Sequence, residues 1–148
     1  MNNIDTTKDC FRKQKGNIIY EMTPYEKIDD YANAGNIFKI NGKPVGLTIF
    51  GIKNETLLIS IFRFDVPQFG NQKRKGYGRI FLSLLIEYAK HEYGCKKVCA
   101  TDLTVEGEEF FRKMKFNNGD VEERDKPTMY SNRGYEKNSD IICKKIEN

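Results

Sequence analysis

Four cations, Lys73, Arg74, Lys75 and Arg79, crowd one short stretch of this chain, and two glycines, Gly76 and Gly78, flank Tyr77 among them. The chemistry open to such a stretch is the holding of phosphate. Glycine allows unusual backbone angles and offers no Cβ to block a close approach, so backbone N–H groups can line an anion. Where the turn runs into a helix, the unpaired N–H groups and the positive helix end add to that cradle. Cations are normally disfavoured at this end of a helix, so their crowding here calls for an anion to balance them. Taken alone, so short a pattern is better explained as a solvated basic turn; it gains meaning from its surroundings.

Other reactive side chains are few. Cys10, Cys95, Cys99 and Cys143 show no CxxC pair and His91 is the single histidine, so neither zinc spacing nor a Cys–His catalytic pair can be argued, and no metal is expected. The cysteines read as reduced, mostly packed thiols. His91 lies on the polar stripe of its predicted helix near the C-terminal end, where it favours that helix end and faces solvent.

The elements around the basic turn give it a setting. Leu57, Leu58, Ile59, Ile61, Phe62, Phe64 and Val66 form an apolar run expected of a strand buried on both faces. After the turn, Arg79–Tyr93 confines most of its polar residues to one stripe, as a helix covered by a sheet does, and Gly94 reads as its C-cap. Upstream, Asn2–Lys15 reads as a loose or short helical lead-in, Ile18–Met22 as a first strand and Pro24–Ala34 as a short helix. Asn36–Ile40 and Pro44–Ile52 read as strands joined by Asn41-Gly42-Lys43, a strong hairpin signal. With the apolar run they form an antiparallel meander. Downstream, Lys97–Ala100 reads as a short strand and Val105–Lys113 as a helix capped by Thr104. Phe116 can begin another strand, Asn117–Lys137 is polar and irregular, and Ile141–Ile146 closes the sheet.

At 148 residues the chain can bury a core without disulfides or metals, and one domain over 1–148 is expected. The net charge of +4 is too small to demand nucleic acid, though locally it suits a polyanion. No run is long and apolar enough to span a membrane and the N-terminus lacks signal-peptide order, so a cytoplasmic protein is expected.

In this order the residues resemble the GNAT superfamily of N-acetyltransferases, which move an acyl group from acyl-CoA to an amine. The turn is similar to the family's pattern of Arg or Gln, two of any kind, Gly, any, Gly or Ala, with Lys73 first and Gly76 and Gly78 as the glycines. Phe110-Phe111-Arg112-Lys113-Met114-Lys115-Phe116 echoes a second signature, an aromatic-rich helix ending in lysine, an apolar residue, glycine and phenylalanine. Together with the preceding meander, the resemblance covers roughly Asn36–Phe116. It implies an α+β fold with a splayed, mostly antiparallel central sheet flanked by helices, parting after Phe64. Acetyl-CoA would lie in the cleft as acyl-donor cosubstrate. Its pyrophosphate would sit on Lys73, Arg74, Lys75, Gly76, Tyr77 and Gly78, with Arg79 near, and its thioester carbonyl would be held by the main chain at Asp65 and Val66.

Departures from the pattern are also legible. Gln68-Phe69-Gly70-Asn71-Gln72 lengthens the loop, and Lys115 takes the place of glycine. The tyrosine that many members use to protonate the leaving thiolate falls at Phe111, as in the family's histone-acetyltransferase branch. An amine acceptor with pKa near ~10.4 must lose a proton before attack, and Asp65 and Asp102 are the carboxylates best placed by chain order, each also readable as a simple turn or capping residue. Tyr130 and Tyr135 could fold over the acceptor, with Tyr135 a substitute acid. The acceptor is a protein lysine, an N-terminus or a small molecule. Asp120, Glu122, Glu123 and Asp125 could attract a basic one, although a solvated charge run explains them better. A monomer or homodimer is expected, without membrane or nucleic-acid partners. Two rival readings stay open: an inactive CoA-binding or interaction protein on the same fold, and a nucleic-acid module using the same cations.

Overall fold

The structure is a computed structural model, and it describes residues 4–7, 9–25, 35–73, 75–101, 103–122, 125 and 141–147. Among the described residues, eight strands form one sheet in sequence order: β1 (Asp5–Thr7), β2 (Cys10–Lys15), β3 (Ile18–Tyr25), β4 (Gly35–Ile40), β5 (Lys43–Lys53), β6 (Thr56–Arg63), β7 (Lys97–Ala100) and β8 (Ile142–Lys145). Every neighbouring pair is antiparallel except β6 and β7. That parallel pair needs a crossover, supplied by α1 (Tyr77–Tyr93). A second helix, α2 (Val105–Lys113), follows β7. The expected mixed, mostly antiparallel sheet with flanking helices is the fold observed.

One face of the sheet buries α1. Phe81, Leu82, Leu85, Tyr88 and Ala89 are buried against Phe11, Met22, Phe38, Leu57 and Ile59. Phe38 stacks on Phe81 with ring centroids 4.5 Å apart, close enough for offset stacking to add to simple burial. Gly94, at φ 65°, ends α1 with its N–H on Lys90 O at 3.1 Å, the expected C-cap.

Three expectations are corrected. Asn2–Lys15 is not a loose or helical lead-in: it contains β1 and β2, and Lys13 of β2 is buried beside Glu87 of α1. The helix expected from Pro24 does not start there, because Pro24 and Tyr25 continue β3 and pair with Asn36 and Gly35; the rest of that segment lies outside the described residues. The cysteines are not all reduced. Cys99 and Cys143 stand opposite each other on β7 and β8 and form a disulfide, leaving Cys10 and Cys95 free.

Lys97 and Asp125 also overturn a surface reading. Lys97 Nζ bonds Asp125 Oδ2 at 2.8 Å and Glu122 Oε2 at 2.7 Å, with Lys97 and Asp125 both buried. Burial alone would push the Lys97 ammonium down, but these hydrogen bonds hold it above its ordinary value. Asp120 accepts from Asn117 Nδ2 at 3.0 Å. Three acids of the supposed solvated cluster therefore bond to named partners within the fold, and Glu123 lies outside the described residues.

The thiol arrangement is testable. Iodoacetamide applied to the folded protein without reductant should label Cys10 and spare Cys95, which is 2% exposed and whose thiol burial pushes up to about 11. Denaturation without reductant should add Cys95 alone, and Cys99 and Cys143 should label only after reduction, as read by peptide mass spectrometry. Cys143→Ser should cost about 2–4 kcal/mol of stability.

Candidate functional site

The ladder between β6 and β7 runs only from Thr56↔Lys97 to Ile59↔Ala100, closed by Thr101 N donating to Ile59 O at 3.0 Å. Beyond it the two strands part. The splay begins after Ile59, five residues earlier than the Phe64 expected from the sequence. A bulge between Ile49 and Phe50 marks the same level of the β5–β6 pair, where Thr48 Oγ1 donates to Ile61 O (2.8 Å) and Ser60 Oγ to Ile49 O (3.2 Å).

The gap is a cleft of about 740 Å³. Its β6 wall carries Phe62, Phe64 and Asp65; the opposite wall carries Thr101, Leu103 and the first turn of α2; the first turn of α1 stands at its mouth. Its floor is aromatic: Phe62, Phe110 and Phe111 pack with ring centroids 5.1–6.1 Å apart, and Phe116 closes on Phe111 at 5.0 Å. Lys115, at φ 79°, lets Phe116 fold back in this way, which explains why the resembling pattern has glycine there.

The two helix starts facing the cleft differ in kind. α2 is self-sufficient: Thr104 Oγ1 accepts from Gly107 N at 3.0 Å, and Glu106 and Glu108 answer the helix dipole. α1 has Gly76 at its N-cap, at φ 80°, with no side-chain cap and no acid in its first turn among the described residues. Space within 4 Å of a Cβ built on Gly76 is empty. An open helix end with Lys73, Lys75 and Arg79 around it combines the unpaired N–H groups and positive charge that suit an anion.

The glycines serve different ends. Gly76 supplies left-handed backbone at the open helix end. At Gly78 a Cβ would come 3.2 Å from the Phe110 ring, so its missing side chain makes room for α2. Sequence reasoning missed a third, Gly46, where a Cβ would lie 2.5 Å from the Phe64 ring and 2.9 Å from Arg63 O. A lone glycine inside a strand pattern was the available signal.

The loop between β6 and α1 is ordered by its own side chains. Val66 is buried with Ile37 and Leu47, Pro67–Phe69 forms a 3-10 turn, and Gln72 N donates to Phe64 O at 2.8 Å. Lys73 N is held by Asn71 Oδ1 at 3.0 Å, and Lys75 Nζ by Gln72 Oε1 at 3.1 Å. The lengthened segment is thus what sets the turn.

Of the expected site residues, Asp65, Lys73, Gly76, Tyr77, Gly78, Arg79 and Phe111 line the cleft together. Lys75 stands exposed beside them in the turn, while the Val66 side chain packs elsewhere. Arg74, Asp102 and Tyr135, and with them Tyr130, lie outside the described residues. Asp65 accepts from Arg63 Nε at 3.0 Å and has Lys73 Nζ at 3.6 Å. Partial burial pushes its carboxyl up, but the Arg63 hydrogen bond and the two cations outweigh this and hold it below the usual range. Glu106, unforeseen, bonds Lys73 Nζ at 2.7 Å.

Comparison with known proteins follows from this geometry. The profile of the acetyltransferase (GNAT) family matches residues 4–116. No curated protein matches the sequence. Among solved structures, N-acetylglutamate synthase of Neisseria gonorrhoeae, complexed with coenzyme A and N-acetyl-glutamate, superposes with TM-score 0.56 at 19% identity over 77% of this chain; the chain spans 26% of the synthase. Tetrahymena GCN5 gives 0.57 at 12% identity, covering 80% of this chain and 71% of that one. The PaiA N-acetyltransferase of Thermoplasma acidophilum, in complex with coenzyme A, gives 0.53 at 16% identity, covering 76% and 60%. At these identities the likeness is one of fold.

Two glycine substitutions separate site from scaffold. Gly76→Val should abolish binding of inorganic pyrophosphate, measured by calorimetry, while leaving a cooperative unfolding transition. Gly46→Ala should cost about 1–3 kcal/mol in denaturant melts, because the added Cβ meets both the Phe64 ring and the Arg63 carbonyl and forces one of them to shift.

Proposed function

Because the chain belongs to the acetyltransferase (GNAT) family, we propose that it transfers an acetyl group from acetyl-CoA to a primary amine of a protein, peptide or small molecule. The observation that carries this reading is the uncapped α1 N-terminus at Gly76, opening with Lys73 and Arg79 onto a cleft made by the parting of β6 and β7. The pyrophosphate is assigned to the amides of the turn from Lys75 to Gly78, since the Lys73 amide already donates to Asn71 Oδ1, with Lys75 and Arg79 adding charge. β6 and the chain beyond it as far as Asp65 would hold the pantetheine, with Phe111 in the floor beneath it. When bound, acetyl-CoA supplies the activated acyl group. The protein supplies backbone donors fixed beforehand by the loop's hydrogen bonds, which need no reorganisation during reaction.

Proton removal from the amine is the step that needs a base. Asp65 is a weakened acceptor, because Arg63 and Lys73 stabilise its ionised form. Asp102, which follows the cleft residue Thr101, is therefore the first to substitute. Phe111 has no acid proton, so the thiolate leaves with water or Tyr135 as donor, or unassisted. The reading treats 1–148 as one catalytic domain. It keeps a cytoplasmic location as part of the proposal on the ground that no helix among the described residues is long and apolar enough to cross a membrane; the Cys99–Cys143 bridge argues the other way, since disulfides are rare in reducing compartments. Phe111 also favours a second reading, a CoA-binding protein that has lost the chemistry.

Three measurements test this. Acetyl-CoA at about 100 times its Kd should stabilise the protein by about 2.7 kcal/mol, seen as a rise of several degrees in Tm; no shift at millimolar ligand would sink the reading. Release of the CoA thiol with a panel of amines separates enzyme from binding protein. With an amine substrate, the rate should climb as pH approaches the amine's pKa. Asp102→Asn should lower kcat most at neutral pH, with partial recovery at higher pH, and Asp65→Asn should lower it less. If neither substitution alters the pH–rate profile, the base is water or another group.

A further inference from the structure

Lys73 spans the cleft mouth. Its Nζ bonds Glu106 Oε1 on the first turn of α2 at 2.7 Å and approaches Asp65 Oδ2, at the end of β6, at 3.6 Å. The two carboxylates belong to opposite walls. The backbone of Lys73 is held by Asn71 and that of Gln72 by Phe64, so a change of partner falls to the lysine side chain and not to the loop. Glu106 is well kept where it is, since an acid in the first turn also suits the α2 dipole. The hydrogen bond to Glu106 foremost, against slight desolvation, holds the Lys73 ammonium above its ordinary value. One of the cations beside the open α1 terminus is thus already engaged by carboxylates of the protein itself.

We propose that Glu106 is a charge-selecting residue of the cofactor site: it holds Lys73 across the mouth of the empty cleft, and a ligand takes Lys73 over only if it brings a polyphosphate. The inference rests on the acyl-CoA reading above. Exposed ion pairs hold weakly, so the pair yields to a pyrophosphate seated on the α1 terminus, where amides and cations act together. A thioester of pantetheine alone has no such charge and leaves the pair closed. Once the pyrophosphate is bound, the Glu106 carboxylate stays nearby as a like charge. Glu106 therefore weakens polyphosphate ligands in two ways, by competing for Lys73 and by repelling the ligand, and its cost falls on them alone.

Calorimetric titration of the full chain with acetyl-CoA, acetyl-pantetheine and inorganic pyrophosphate tests this. Glu106→Gln should tighten acetyl-CoA and pyrophosphate by about three- to tenfold at low salt, the size expected from removing one screened charge several ångströms from a dianion, and should leave acetyl-pantetheine unchanged. Glu106→Asp, which keeps the charge and shortens its reach, should fall between the two. In a Lys73→Met background the gain from Glu106→Gln should shrink, because only the repulsion remains. An unchanged Kd for acetyl-CoA, or equal tightening of acetyl-pantetheine, would overturn selection; an undiminished gain without Lys73 would overturn the latch. If the wild type binds pyrophosphate and Glu106→Gln tightens it while acetyl-CoA does not bind, the acyltransferase reading falls and the latch stands. If acetyl-CoA binds and Glu106→Gln has no effect, the latch alone falls.

Discussion

A parallel strand pair that stops pairing after four residues on each side is the constraint on which the rest of this molecule depends. Parallel strands cannot be joined by a hairpin, so the chain must cross over through α1, and the crossover brings the helix start back beside the free end of β6. Because β7 ends at Ala100, the edge of β6 beyond Ile59 loses its neighbour at the level where α1 begins. The cleft and the open helix start beside it are therefore consequences of one event. The bulge at Ile49/Phe50 and the Thr48 and Ser60 hydroxyl bonds keep β6 on β5 after it has left β7.

The electrostatics of the cleft follow from how its two helices begin. α2 satisfies its own first turn with Thr104 and two acids, and so presents negative charge to the opening. α1 leaves its first turn open behind Gly76 and gathers cations. Opposite charges facing each other across a gap attract, and Lys73, paired with Glu106 and Asp65, shows the result. This division also bears on Asp65. A carboxylate at the end of β6 has the position of a base, yet the same cations that suit a pyrophosphate stabilise its ionised form and weaken it as a proton acceptor. Anion binding and base catalysis pull Asp65 in opposite directions.

What was legible in the sequence was what local pattern decides. Lys97–Ala100 and Val105–Lys113 stand where they were read, with Thr104 capping and Gly94 closing as expected, because periodicity and capping are short-range signals. The central meander and the basic turn were legible for the same reason. β2 was not: Cys10-Phe11-Arg12-Lys13-Gln14-Lys15 places a single large apolar residue on its inner face and fills the next inner position with Lys13, whose charge meets Glu87 from a distant helix. Pro24 was read as opening a helix, but its strand context comes from β4. The Cys99–Cys143 bond and the Lys97–Asp125 pair required the β7–β8 register and the return of a distant segment. In the site, Glu106 was missed because it acts across the cleft on Lys73, which no spacing along the chain encodes; Gly46 left only the trace of a lone glycine within a strand, which does not name Phe64 as its neighbour.

The aromatic floor bears on the chemistry that remains. Phe62, Phe110 and Phe111 line the cleft below its charged mouth, and Phe116 buttresses them through the strained backbone at Lys115. An apolar floor lowers the local dielectric and lengthens the reach of each fixed dipole above it. A neutral amine and a neutral thioester enter such a place at little cost, whereas the alkylammonium form does not. The floor thus favours the reactive protonation state of the acceptor before any base acts. A phenol at position 111 would bring a proton to the leaving thiolate; a phenyl ring instead seals the floor, and a thiol of pKa about 8.5 is a good enough leaving group to depart without that help. On the acetyltransferase reading proposed above, Phe111 leaves placement and desolvation to do the work of an acid, and the demands on proton removal from the amine become correspondingly greater.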